Sequence, residues 1–252
     1  MTTRPIVAVV PFGARGSSPK SGAWARQIAR RLVDRFAAET ALEVRPVFLV
    51  AMPEESSEAG YLVFGSSPDT DLAAQYATSL GATHALTAVY REDGGARALR
   101  LDLVDAARKH AESLDLRIAE DGLHRAEPQV ARWLVDTLGV TPSVDVATPA
   151  TANENAYAAL LEGMDEEVNA TLLRTSDPQR ADASIEASLR RYVDAARADP
   201  ASTAPEERVL VLGAESLERG DARAAIAALE ELVTIRPRSW RTNYMLGQLR
   251  AE

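Results

Sequence analysis

The spacing of apolar residues changes period once along this 252-residue chain, and that change limits the folds open to it. Up to about residue 140 the apolar positions include runs and alternations with the period-2 logic of strands. Ile6-Val7-Ala8-Val9-Val10 is apolar at every position, as a strand covered on both faces requires. Leu99, Leu101 and Leu103 alternate with Arg100, Asp102 and Val104, and Leu114, Leu116 and Ile118 alternate again. From Asn153 onward no strand pattern recurs, and nearly the whole chain carries helical spacing.

The first half orders itself as β-α-β-α-β-β-β-α. Pro11 ends the first strand, and Gly13–Gly22 is a Gly/Ser/Pro loop. Trp24, Ile28, Leu32 and Phe36 then recur every fourth residue on an amphipathic helix. Glu43–Val50 is a second strand, and Met52–Thr70 a surface loop. Asp71 is placed to cap a helix that Gly81 stops. Thr83–Tyr90, Ala98–Val104 and Ser113–Ile118 are three further strands, with Asp93-Gly94-Gly95 as the hairpin signal between the first two. Gln129–Leu138 is the closing helix, ended by Gly139. A mixed-sheet α/β domain over 1–140, a Pro/Thr/Ala/Val linker over 141–152 and an all-α domain over 153–252 are therefore expected. Charge divides the same way: residues 1–140 hold 16 basic and 18 acidic side chains, residues 141–252 hold 12 and 19.

Composition removes several functions. With no Cys there is no disulfide framework, thiolate metal site or cysteine nucleophile. A net charge of −9 is not the basic footprint of a nucleic-acid binder. No 18-residue apolar run exists to span a membrane, and Met1–Phe12 lacks the regions of a signal peptide, so a cytoplasmic location is expected. His84, His110 and His124 are scattered and read as surface or half-buried residues. The acid clusters Glu54-Glu55, Glu120-Asp121 and Asp165-Glu166-Glu167 read as solvated surface, because neighbours in sequence point to different sides of an element. Gly13–Gly22 lies where phosphate loops lie, and Lys20-Ser21 has the look of a P-loop ending. Yet Ala14 and Pro19 occupy positions where that loop needs Gly. The expectation is a non-enzyme without cofactor or metal. A regulatory module that binds a small anion or nucleotide at 13–22 is the alternative.

The helical half repeats. Leu212-Gly213 returns 34 residues later as Leu246-Gly247, with Gly220, Ala225, Leu229 and Pro237 between. This pattern resembles the tetratricopeptide repeat. An earlier copy ends at Asp199-Pro200, with Tyr192 and Ala195 before it, and runs thirteen residues longer from Gly163 to its Pro. Such a copy implies a longer first helix or an inserted turn near Ser176-Asp177-Pro178. The resemblance implies a peptide-binding groove lined by the first helix of each repeat, which here means Leu210, Ala214, Leu217, Arg241, Tyr244 and Gln248. Trp240, Tyr244, Met245, Leu246 and Leu249 are too many apolar residues for one buried face, so the last helix is expected to meet a partner or a second copy.

The first half resembles the TolB amino-terminal-like domain. The carrying residues are Val7-Ala8-Val9-Val10-Pro11-Phe12, Gly81-Ala82-Thr83-His84-Ala85-Leu86, the hairpin Val89–Val104 followed by Asp105-Ala106, and Leu138-Gly139-Val140. In bacterial cytoplasmic proteins this domain often precedes tetratricopeptide repeats across an Asn-x-x-Ala-Tyr junction, and here Asn153-Glu154-Asn155-Ala156-Tyr157 stands at that place. The joint resemblance implies a scaffold or adaptor that acts through protein–protein contacts.

Overall fold

The computed structural model describes residues 4–15, 19–47 and 68–251. It divides into two compact units, Met1–Pro149 and Ala150–Glu252. The first is a mixed-sheet α/β unit and the second is all helix, the fold class expected from the sequence.

The first unit contains β1 (Ile6–Val9), β2 (Gly13–Arg15), α1 (Pro19–Arg35), β3 (Glu43–Pro46), α2 (Thr70–Ser79), β4 (His84–Asp93), β5 (Ala96–Asp105), β6 (His110–Ile118) and α3 (Ala126–Leu138). The sheet runs β3-β1-β4-β5-β6, with β2 also on β4. The β1, β2 and β3 pairings are parallel and the β4-β5-β6 meander is antiparallel. Gly94 and Gly95 both have positive φ, so the two-residue turn between β4 and β5 is of the type that matches strand twist. The turn into β6 is held by the Asp105 carboxylate, which accepts from the Ala107 and Arg108 amides at 2.9 Å.

Alternation along β4 assigns its two faces. Ala85 packs with Ala8, Val10 and Val104 under Ala73, Ala74 and Ala77 of α2. Tyr90 is on the opposite face, edge-on to Trp24 of α1 with ring centroids 6.2 Å apart. Beside α1, Arg31 and Arg35 clamp the buried Glu127 of α3 at 3.2 and 2.9 Å.

Several expectations shift. The helix cap is Asp69, whose side chain accepts from the Leu72 amide at 2.8 Å, while Asp71 is in the first turn and pairs with Lys109. The end of the strand expected over Glu43–Val50 and most of the 52–70 loop, with Glu54-Glu55, lie outside the described residues. The segment expected as a linker does not hang free. Ser143 and Val144 donate their amides to Glu39, and Arg35 donates to the carbonyls of Asp145 and Thr148. Burial alone would raise the Glu39 carboxyl, but the Ala41, Ser143 and Val144 amides and the Ser143 hydroxyl outweigh it and lower it to about 2. The chain divides after Pro149, within the 141–152 segment, and residues 141–149 are held to the first unit.

The second unit contains α4 (Glu154–Leu173), α5 (Pro178–Ala198), α6 (Ala204–Arg219), α7 (Arg223–Ile235) and α8 (Trp240–Ala251). Asn153 caps α4 by accepting from the Ala156 amide, and Asp177 caps α5. Gly220 ends α6 in the left-handed region, a backbone setting that residues with a side chain rarely adopt. No helix among the described residues is long and apolar enough to cross a membrane.

Candidate functional site

The helical unit is built on a small-residue notch. Where α4 meets α5, a Cβ at Gly163 would lie 2.6 Å from Cε1 of Tyr192, so the ring occupies the space that a side chain would fill. Where α6 meets α7, the same position is Gly213, faced by Met245 and Leu229. Tyr192 and Leu229 are equivalent: each stands eight residues before the Pro that follows its helix. The thirteen extra residues of the first copy are also accounted for. Helix α4 has 20 residues against 16 in α6, α5 has 21 against 13 in α7, and the last residue is in the connecting turn. Helical extension, rather than an inserted element, makes the first copy long.

The third notch is Gly247 on α8, and no described residue comes within 4 Å of a Cβ placed there. Helix α8 packs on α6 and α7 through Thr242, Leu246 and Leu249, which are buried. Its other side carries Trp240 and Tyr244, one turn apart, 74% and 61% exposed. Its first turn is pinned by Glu206 of α6, which accepts from the hydroxyls of Ser239 and Thr242 and pairs with Arg236 at 2.6 Å. Burial pushes the Glu206 carboxyl up, but these three hydrogen-bond donors outweigh it and hold it below its ordinary value.

The six residues assigned from sequence are unequal. Leu210 is 8% exposed, Ala214 and Leu217 are half-buried, and Arg241 is exposed in an ion pair with Glu207 at 3.6 Å. Tyr244 is exposed, and its hydroxyl accepts from Gln248 at 3.0 Å. Leu210 therefore belongs to the packing, while Tyr244, one 34-residue period later, belongs to the surface. Helix α6 packs against α5, α7 and α8, whereas α8 packs against α6 and α7. Val211, 45% exposed on α6, was not singled out by sequence. Its place between two buried-stripe leucines hid it.

The other candidate sites resolve differently. Much of the 13–22 loop is regular structure: Gly13–Arg15 pair with Val89–Arg91 as β2, and α1 begins at Pro19. After the break at Pro11 the chain resumes along the same edge of β4. Buried Ser21 donates to Glu92 at 2.6 Å. Residues 16–18 lie outside the described residues. His84 is half-buried at the start of β4 with Nδ1 2.8 Å from the Thr83 hydroxyl, and burial lowers its pKa. His110 is exposed, but His124 is buried, against expectation, where the chain turns into α3. Glu120 and Asp121 are exposed. Asp165 and Glu167 are buried, which corrects their reading as solvated surface. Glu167 accepts from the Tyr192 hydroxyl at 2.5 Å and from Arg208 Nε at 3.0 Å. Burial, then the Glu167 carboxylate, push the Tyr192 hydroxyl well above its ordinary pKa, so it acts as a neutral donor. No sequence signal shows this triad, because Arg208 is 41 residues from Glu167.

No protein-family model matches the chain, and no curated protein matches it. Among solved structures it is similar to the LpoB C-terminal domain from Salmonella enterica, at 17% identity over 48% of this chain and 86% of that one, with a TM-score of 0.32. The LpoB C-terminal domain from Escherichia coli matches over the same shares at 17% identity and a TM-score of 0.30. The PelC dodecamer from Paraburkholderia phytofirmans matches at 17% identity over 49% of this chain and 77% of that one, with a TM-score of 0.29.

Proposed function

We propose that the chain is a non-enzymatic cytoplasmic adaptor: a TolB amino-terminal-like α/β unit followed by tetratricopeptide-type helices that bind a protein or peptide. The observation that carries this is the pair Trp240 and Tyr244 on α8. Two large aromatic side chains one turn apart lie mostly in water beside an open glycine notch. Aromatic side chains are the usual anchors of protein interfaces, since they bury much area with few rotatable bonds. Arg241 on the same helix adds a charge at the rim. The partner chemistry that fits is a segment with apolar side chains to cover the aromatics and an acidic group for Arg241.

The test is selection of displayed random peptides on the full chain, followed by calorimetric affinity for wild type, Trp240→Ala and Tyr244→Ala. At least one replacement is expected to weaken binding by about tenfold or more, the range of an interface anchor. Selected peptides whose affinity ignores both replacements would remove α8 as the site and this reading with it.

A further inference from the structure

The outer edge of the sheet has features independent of the helical surface. Strand β6 ends the sheet order, and its nine residues pair with β5 on one side. A long edge strand offers unpaired backbone groups to another strand, and proteins usually blunt such edges. The sequence of β6 does the reverse in one register.

Consider two copies pairing β6 with β6 antiparallel about a two-fold axis through each residue from Glu112 to Arg117 in turn, so that like faces stay together. Centred on Glu112, Asp115 or Arg117, the axis sets a charge against itself. Centred on Ser113 or Leu114, it sets Glu112 against leucine. Centred on Leu116, it sets Leu114 against Ile118, Leu116 against Leu116, and Asp115 against Arg117 twice by symmetry.

The neighbouring strand extends the fit. On one face the row Tyr90-Leu99-Leu116 is fixed by the β4-β5-β6 register and would run on into the second copy's Leu116 and Leu99. On the other face Arg100 is opposite Asp115 and paired with it, and Asp115 would meet the second copy's Arg117. Charge then alternates Arg, Asp, Arg across the junction. Arg117 is exposed, and it has no ion-pair partner among the described residues. Leu114 and Leu116 are half-buried, so apolar area remains to be covered.

We propose that this chain self-associates through β6, antiparallel and centred on Leu116, joining two sheets into one. Five residues from each copy take part. An interface that small is weak, so the dimer forms at high local concentration, with a dissociation constant of about 0.1–1 mM.

Sedimentation of the full chain from about 10 μM to about 1 mM tests this range. The mass of the wild type is expected to rise toward two chains. Asp115→Arg makes both symmetric pairs Arg–Arg, and Arg117→Asp makes both Asp–Asp. Each variant alone is expected to associate about tenfold more weakly, or not at all. Mixed one to one, the two restore both opposite-charge pairs, and the mixture is expected to dimerise at the wild-type midpoint. Asp115→Arg with Arg117→Asp in one chain does the same and serves if either single variant fails to fold. Tyr244→Ala leaves the association unchanged, which separates it from binding at α8. A wild type that stays monomeric to the top of the range overturns the proposal. So does a mixture no tighter than its components, or a monomer whose β6 instead takes up an added extended peptide.

Discussion

The two helical hairpins close the same notch by different chemistry. In α4-α5 one rigid ring fills the space above Gly163, and its hydroxyl must then be satisfied in the interior. Glu167 accepts it, and Arg208 neutralises Glu167. At Gly213 two apolar side chains, Leu229 of α7 and Met245 of the following helix α8, fill the space, and neither brings a polar tip that needs a partner. An aromatic with a polar tip thus commits its hairpin to a buried network, in which each member depends on the others. The aliphatic closure makes no such demand and can adjust by rotamer changes.

The largest effect should come from breaking that network. Glu167→Ala leaves the Arg208 charge and the Tyr192 hydroxyl without their acceptor, at a cost of about 3 kcal/mol. On a helical unit of this size that lowers the melting temperature by roughly 10 °C or more. Thermal unfolding of the full chain by circular dichroism measures it. A drop as small as that of an exposed Glu→Ala change would show the network to be dispensable and the contrast to be empty.

Next come the notches themselves. Gly163→Ala places a methyl 2.6 Å from the Tyr192 ring, which Glu167 holds in place. Overpacking of this kind costs about 1–3 kcal/mol. Gly213→Ala places its methyl 3.3 Å from Met245 Cγ, a neighbour that can give. The better helix propensity of Ala, worth about 1 kcal/mol, is gained at both positions and cancels in the comparison, which therefore reports strain alone. Chemical denaturation should leave Gly163→Ala less stable than Gly213→Ala by about 1–2 kcal/mol. Equal values would mean that the closures are equally rigid.

A smaller effect distinguishes the corner where α6 meets α8. The lowered carboxyl of Glu206 makes its contribution fully present above its unfolded pKa. That contribution is lost as pH falls through the lower, folded value. The melting temperature should therefore fall on acidification below about 4.5 and fall less in Glu206→Gln. A pH profile unchanged by that substitution would remove Glu206 as the acid-sensitive joint.

What the sequence made legible was local. The Gly94-Gly95 turn, the stops at Gly81, Gly139 and Gly220, and the 34-residue spacing all rest on residues close together, each with a backbone reason. What stayed hidden was distant. Glu167 reads as one of three surface acids until Tyr192 and Arg208 arrive from other helices. The 141–149 segment reads as a linker because Glu39 and Arg35, about a hundred residues earlier, hold it. Strand β2 was hidden because Pro11 reads as an end, whereas the edge of β4 continues past it. Of the groove residues, Tyr244 was legible as an excess aromatic. The burial of Leu210 was not, since periodicity cannot say which first helix is covered by a later one.

The smallest expected effect has the opposite sign. Gly247 is the third notch, and a Cβ there meets none of the described residues within 4 Å. Its backbone is helical, and it is exposed near the end of α8. Gly247→Ala therefore gains helix propensity without a clash, and should stabilise the unit by about 0.5–1 kcal/mol. Denaturation midpoints measure this directly, and a loss of stability would mean that the notch is already filled. The same position also sharpens the functional proposal. If a partner helix seats a side chain over Gly247 as Tyr192 does over Gly163, Gly247→Leu should weaken that partner's binding while leaving the free chain folded. A more stable chain with weaker binding would identify the open glycine as a seat kept for something outside the unit, and equal binding would leave Trp240 and Tyr244 as the whole of the contact.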